Sequence, residues 1–158
     1  MNILVLCTGN SARSILLESI LTHRSDGRIT AYSAGSKPSG KVHPQSLVLL
    51  AREGFRVAGL TSQSWDVYAA ADAPVMDAVI TVCGSAAGET CPMWPGAPVR
   101  AHWGVEDPAA AVEADWEAAF DLAYGRLSKR ANALFELPFE DMSQDAFQAV
   151  LTEIGTQF

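Results

Sequence analysis

The chain is expected to fold as an α/β domain. Its core is a four-stranded parallel sheet in the order 2-1-3-4 with helices on both faces, followed by an extra C-terminal helix. Three observations predict this. The apolar run Ile3-Leu4-Val5-Leu6 shows no polar alternation, as a strand buried on both faces requires. Strand and helix patterns then alternate along the 158 residues, without repeats or low-complexity linkers. Right-handed crossovers between parallel strands restrict the order in which four such strands pair.

Residues 2–6 are the first strand and 12–24 the first helix, stopped near Asp26-Gly27. Residues 28–33 alternate well enough for a second strand, closed by Ala34-Gly35. Pro44 stands where a helix begins and Gly54 where one ends, so 44–53 is helical. Residues 62–72 read as helical or irregular, and 78–82 as a short buried strand ending at Cys83. Residues 84–97 carry Pro92, Pro95 and Gly96 and read as a long loop, before a last strand at 98–102. Trp116, Phe120, Ala123, Leu127, Ala131 and Leu134 recur at helical spacing, which makes a long amphipathic helix from Val112 to about Leu137. Ser143 caps a final helix over 144–154, with Gly155 as its stop. A single domain over 1–158 follows, with a core at 1–137 and a helical extension at 138–158.

Composition is that of a globular protein, 49% apolar and 18% charged, with a net charge of −7. The charge is uneven. Residues 1–60 hold seven Lys/Arg against three Asp/Glu, and residues 61–158 hold four against fifteen. Such an acidic chain is a poor partner for nucleic acid or anionic membrane. No run reaches membrane-span length and the first residues lack the basic start of a secretion signal, so a soluble cytoplasmic protein is expected. Three cysteines in that setting favour catalytic, redox or metal chemistry over a disulfide framework. His23, His43 and His102 are scattered and no paired metal-ligand spacing occurs, which argues against zinc.

The chemistry concentrates in Cys7-Thr8-Gly9-Asn10-Ser11-Ala12-Arg13-Ser14, between the first strand and the first helix. Successive N–H groups of such a loop form a cradle for an oxyanion, and the helix N-terminus adds positive potential. Gly9 and Asn10 tolerate the backbone angles a tight loop demands. Arg13 can grip two oxygens of the anion, and the same field is expected to hold Cys7 as thiolate. Cys83 ends strand three, beside strand one in the predicted order. Neighbouring strands lie about 4.8 Å apart, so a Cys7–Cys83 disulfide is within reach. Cys91 lies eight residues beyond Cys83 in the breaker-rich loop. Alone, Cys83 reads equally well as a small core residue or a redox thiol, and Cys91 as an incidental loop thiol or a redox one; three together at one crevice favour redox use. Asp107-Pro108 follows the last strand, where a carboxylic acid can protonate a leaving oxygen with Trp103 excluding water from it. Taken alone, Asp107 is an ordinary turn opener. Glu18 alone reads as an exposed helix residue.

These segments, with Tyr32-Ser33-Ala34-Gly35, Ser64-Trp65-Asp66, Val82-Cys83-Gly84, Cys91-Pro92-Met93 and His102-Trp103-Gly104-Val105-Glu106-Asp107-Pro108, resemble arsenate reductases built on the low-molecular-weight protein tyrosine phosphatase fold. The resemblance runs over about residues 2–137. It implies that Cys7 attacks arsenate held by the loop and Arg13, and that Asp107 protonates the departing oxygen. Cys83 then forms a disulfide with Cys7, and Cys91 moves it to Cys83–Cys91, which thioredoxin reduces. Phosphate and sulfate would be substrate analogues. It implies no tightly bound cofactor, apart from a potassium ion near Asn10, Glu18, Ser33 and Asp66. Ala12 stands where some members carry a further cysteine, which the relay does not require. The alternative reaction on the same cradle is phosphoester hydrolysis, which needs only Cys7, Arg13 and Asp107.

Overall fold

The run Asn2–Leu6 forms strand β1, with Ile3, Leu4 and Val5 fully buried and Leu6 nearly so, because it is a central strand covered on both faces. The computed structural model describes residues 1–88 and 92–158, the side chains of Ser85 and Ala87 excepted. β1 pairs in parallel with β2 (Thr30–Ala34) on one side and β3 (Ala78–Thr81) on the other. β3 pairs in parallel with β4 (Val99–His102), giving the order β2-β1-β3-β4. Leu6 registers with both Ala34 and Thr81, and Thr81 with His102. The residues that follow these four positions therefore leave the sheet along one edge.

Alternate residues of β1 serve two separate cores. Ile3 and Val5 pack with α1 (Arg13–Arg24), α2 (Pro44–Arg52), α5 (Trp116–Phe135) and α6 (Gln144–Gln157). Leu4 and Leu6 face Tyr68, Met76, Val79 and Trp94, under the four-residue α3 (Asp66–Ala69). Helices thus cover both faces, but unequally. Near the expected start of the long helix, two 3₁₀ turns at Pro108–Ala110 and Glu113–Asp115 precede α5.

Besides this later start of α5, three further features differ from the sequence reading. The expected loop 84–97 begins with a short helix α4 (Gly84–Gly88), whose single turn is too brief to leave a periodic pattern. Arg28 and Ile29 lie outside β2. The Arg28 guanidinium instead holds the carbonyls of Phe135 and Leu137, at 2.7 and 2.6 Å, where α5 ends. Gly155 does not stop α6. A Cβ there would stand 2.4 Å from the His102 carbonyl oxygen, so this glycine lets the helix seat against the end of β4 and continue to Gln157. Ser143 does cap α6, accepting the Ala146 N–H at 3.2 Å.

Candidate functional site

The loop after β1 is held by its carbonyl groups. Lys37, Ser39 and His43 donate backbone N–H groups to the carbonyls of Thr8, Gly9 and Ser11 at 3.0, 2.9 and 2.9 Å. The hydroxyls of Ser62 and Ser46 add bonds to Gly9 and Ser11, at 3.1 and 2.9 Å. With the oxygens tied to the surrounding chain, the N–H groups of Asn10, Ser11 and Ala12 have no partner among the described residues and remain to bind an anion. Asn10 adopts φ 46° and is fully buried. Its Oδ1 accepts the Gln63 N–H at 2.8 Å and its Nδ2 donates to Ser14 and Ser33, each at 2.9 Å. Gly35 meets the loop from β2. A Cβ on it would lie 2.3 Å from the Thr8 carbonyl oxygen, so only glycine fits.

Arg13 opens α1 and turns toward the strand exit beyond β4. Its Nη1 donates to the Val105 carbonyl at 3.0 Å, and its Nη2 lies 3.6 Å from Asp107 Oδ2. Its Nε is buried without a partner among the described residues, a spare donor beside the anion loop. Asp107 Oδ1 caps the following 3₁₀ turn by accepting the Ala109 N–H at 3.0 Å. The proposed acid and the anion-gripping arginine are therefore neighbours, as the sequence reading requires. The shielding role for Trp103 is not met. Its indole is fully buried under α6, with the N–H on the Leu151 carbonyl at 2.8 Å, while the Asp107 side chain is 44% exposed.

Cys7 and Cys83 are both buried and both free. The sulfur of Cys83 accepts the Thr8 N–H at 3.3 Å and the Ala86 N–H at 3.4 Å, with Thr8 Oγ1 at 3.6 Å. The neighbouring Cys7 thiol and these donors pull the Cys83 thiol down to about 5, whereas the neighbouring Cys83 and burial push Cys7 up. For Cys7 this direction runs against the expectation that the loop's field lowers its pKa. Cys91 lies outside the described residues.

Of the four residues suggested for potassium, three are joined. Asn10 binds Ser33, and Ser33 donates its hydroxyl to Glu18 Oε2 at 2.5 Å. Asp66 stands exposed at the start of α3, and no hydrogen bond or ion pair joins its carboxylate to the others among the described residues. A cation needs oxygens that converge on it. Here the Asn10 oxygen is occupied by Gln63, its amide nitrogen faces Ser33, and the network closes on its own hydrogen bonds. As placed, the set does not fit a resident ion. Glu18 is largely buried rather than solvated, and burial pushes its carboxyl up to about 7. Among the described residues, no three His, Cys, Asp or Glu side chains gather as metal ligands.

Several contributors carried no local signal. Val105 acts through its carbonyl, and Gln63 through its N–H. His43 caps α2, accepts the Gln45 N–H on Nδ1 at 3.0 Å and packs its ring on Trp116 and Phe120. Burial lowers the His43 pKa, and the Asp107 charge opposes that.

Comparison with known proteins agrees with this geometry. Residues 2–146 match the low molecular weight phosphotyrosine protein phosphatase family. An arsenate reductase of Halalkalibacterium halodurans is 35% identical over 133 residues, spanning 83% of this chain and 92% of its own. A solved arsenate reductase in the phosphate binding state superposes with a TM-score of 0.70 at 26% identity, covering 85% of this chain and 96% of that one. The fold is also that of a thioredoxin-dependent arsenate reductase of Corynebacterium glutamicum, with a TM-score of 0.60 at 22% identity over 85% of this chain and 60% of that longer one. The chain belongs to the low molecular weight phosphotyrosine protein phosphatase family.

Proposed function

We propose that this protein is an arsenate reductase that passes two electrons to arsenic through Cys7, Cys83 and Cys91, with thioredoxin restoring the thiols. The observation that carries the reading is a second free thiol at the cradle: Cys83 follows the strand paired with β1, and its sulfur accepts the Thr8 N–H of the anion loop at 3.3 Å. A phosphatase needs one nucleophile there; a reductase needs a second thiol that reaches the first.

Arsenate binds to the free loop N–H groups and Arg13. Cys7 passes its proton to the neighbouring Cys83 thiolate and attacks arsenic. The S–As bond forms as an As–O bond breaks, and Asp107 gives its proton to the departing hydroxide, which leaves as water. Cys83 then gives its proton to an arsenic-bound oxygen and attacks the Cys7 sulfur. The S–As electron pair stays on arsenic, arsenite leaves, and a Cys7–Cys83 disulfide remains. Cys91 attacks Cys83 to release Cys7 and carry the disulfide outward, where a dithiol partner reduces it. The thiols supply both electrons, so the scheme calls on no resident cofactor. It requires a reducing compartment, for which we propose the cytoplasm. No helix among the described residues is long and apolar enough to cross a membrane.

With thioredoxin, thioredoxin reductase and NADPH, arsenate should drive NADPH oxidation. Cys83→Ser should abolish that turnover while phosphate still binds, since the oxyanion contacts are untouched. Absence of arsenate-dependent turnover with any thiol donor would sink the reading. After a single turnover, a Cys83–Cys91 bond seen by mass spectrometry supports the thioredoxin route. A mixed disulfide with a small thiol would replace thioredoxin by that donor. The second reading, phosphoester hydrolysis, is favoured by the Arg13–Asp107 pairing, and hydrolysis that survives loss of both Cys83 and Cys91 identifies it.

A further inference from the structure

The family match ends at residue 146, so most of α6 lies beyond it, and the reaction scheme gives this helix no task. Its contacts converge on one segment. Gln148 brackets Arg100 of the edge strand, accepting its N–H at 2.8 Å and donating to its carbonyl. The Leu151 carbonyl takes the Trp103 indole N–H, and Gly155 sits against His102. Arg130 of α5 completes the set. It is 5% exposed, and among the described residues no Asp or Glu pairs with it. Its Nη1 donates to the Gly104 carbonyl at 3.1 Å, and its Nε and Nη2 donate to the Phe158 backbone oxygen at 3.0 and 2.5 Å. The next carbonyl along, that of Val105, is held by Arg13. Two arginines therefore hold successive carbonyls of one strand exit, Arg130 from the long helix and Arg13 from the anion loop. Asp107 follows two residues later.

We propose that Arg130 and α6 form a brace for the acid loop, with Arg130 as a positioning residue that fixes residues 104–107 relative to Arg13. The proposal rests on Asp107 acting as proton donor in the scheme above. A catalytic group needs its loop fixed to within a fraction of an ångström, and a buried guanidinium shared between Gly104 and Phe158 fixes one end of that loop.

The test is a double-mutant cycle of Arg130→Met with Asp107→Ala, read by arsenate-driven NADPH oxidation and, in parallel, by hydrolysis of an aryl phosphate. Arg130→Met should lower kcat about tenfold and change KM less than about twofold, and the loss should disappear in the Asp107→Ala background. Gly155→Ala pushes α6 away from His102 without removing a buried charge. It should give the same pattern more weakly, and it decides the matter if Arg130→Met does not fold. Hydrogen exchange gives a readout independent of activity. The Val105 amide, held by the Val82 carbonyl at 3.2 Å, should exchange about tenfold faster in either variant. An equal loss in both Asp107 backgrounds overturns the brace, as does a lower Tm with unchanged kcat and unchanged Val105 exchange. Wild-type turnover of neither substrate overturns the role of Asp107 instead, and Val105 exchange then judges the brace alone.

Discussion

The loops that leave β1 and β3 lie side by side and are built in opposite ways. After β1, the carbonyls of Thr8, Gly9 and Ser11 are each bonded to another segment, Asn10 is locked in a buried network, and Gly35 closes on the backbone. After β3, Val82 continues the ladder to Leu6, and Cys83 then accepts from Thr8 and from Ala86 of the short α4. The first loop is a fixed cradle. The second holds a thiol whose charge depends partly on an N–H borrowed from the first. One half of the site is made to hold an anion without rearranging, and the other to respond to what happens there.

Removing each loop's cysteine separates the two most sharply. Cys7→Ser should reduce both arsenate reduction and phosphoester hydrolysis to background. Cys83→Ser should do so for reduction alone, and parallel assays on the same preparations check this. Next in size is Gly35→Ala. Its methyl would meet the Thr8 carbonyl oxygen at 2.3 Å and that of Cys7 at 2.8 Å, so the cradle must move. Phosphate affinity should fall about a hundredfold and stability by about 1–3 kcal/mol, by calorimetry and urea unfolding. Unchanged affinity would mean that the cradle is not fixed by its outer carbonyls.

The cradle was the more legible half. A continuous apolar strand, a run of small residues and an arginine at a helix start are local patterns, and they place Cys7, Arg13 and the free N–H groups without tertiary information. The contacts that set charge were not local. Thr8 meets Cys83 across 75 residues, so which sulfur carries the charge cannot be read from either neighbourhood. Glu18 reads as solvated because glutamate usually is. Its burial depends on Ser33, 15 residues away on β2. Gly155 shows a different limit, since the same residue type marks a helix stop and a close approach between elements, and only packing tells them apart. The Asp107–Arg13 pairing followed from topology, whereas the shielding by Trp103 rested on sequence proximity and failed.

Glu18 sits beneath the cradle and gives a smaller, pH-dependent effect. Burial raises its folded pKa to about 7, above the ordinary 4.5. The unfolded carboxyl loses its proton near the ordinary value, while the folded one keeps it. Its contribution is therefore fully present below pH 4.5 and is lost as pH rises through about 7, a difference on the order of 3 kcal/mol. Glu18→Gln, which still accepts from Ser33, should raise Tm at pH 8 and leave it nearly unchanged at pH 4. A matched Tm in potassium and sodium chloride is expected in wild type, because the network closes without an ion. Stabilisation by potassium alone would show that Asn10 and Ser33 reorganise around one.

The finest division lies within the link between the loops. Thr8 meets the Cys83 sulfur twice, its N–H donating at 3.3 Å and its hydroxyl lying at 3.6 Å, and both contacts lower the thiol's pKa. Alkylation of Cys83, followed by peptide mass mapping, should titrate near pH 5 in wild type. Thr8→Val removes the hydroxyl and keeps the N–H, so that midpoint should rise by less than about one unit, with phosphate affinity unchanged. Phosphate itself should move it further, because an anion in the cradle competes for the loop's field and adds negative charge beside Cys83. A midpoint near the ordinary thiol value, unmoved by phosphate, would mean that the two loops act separately.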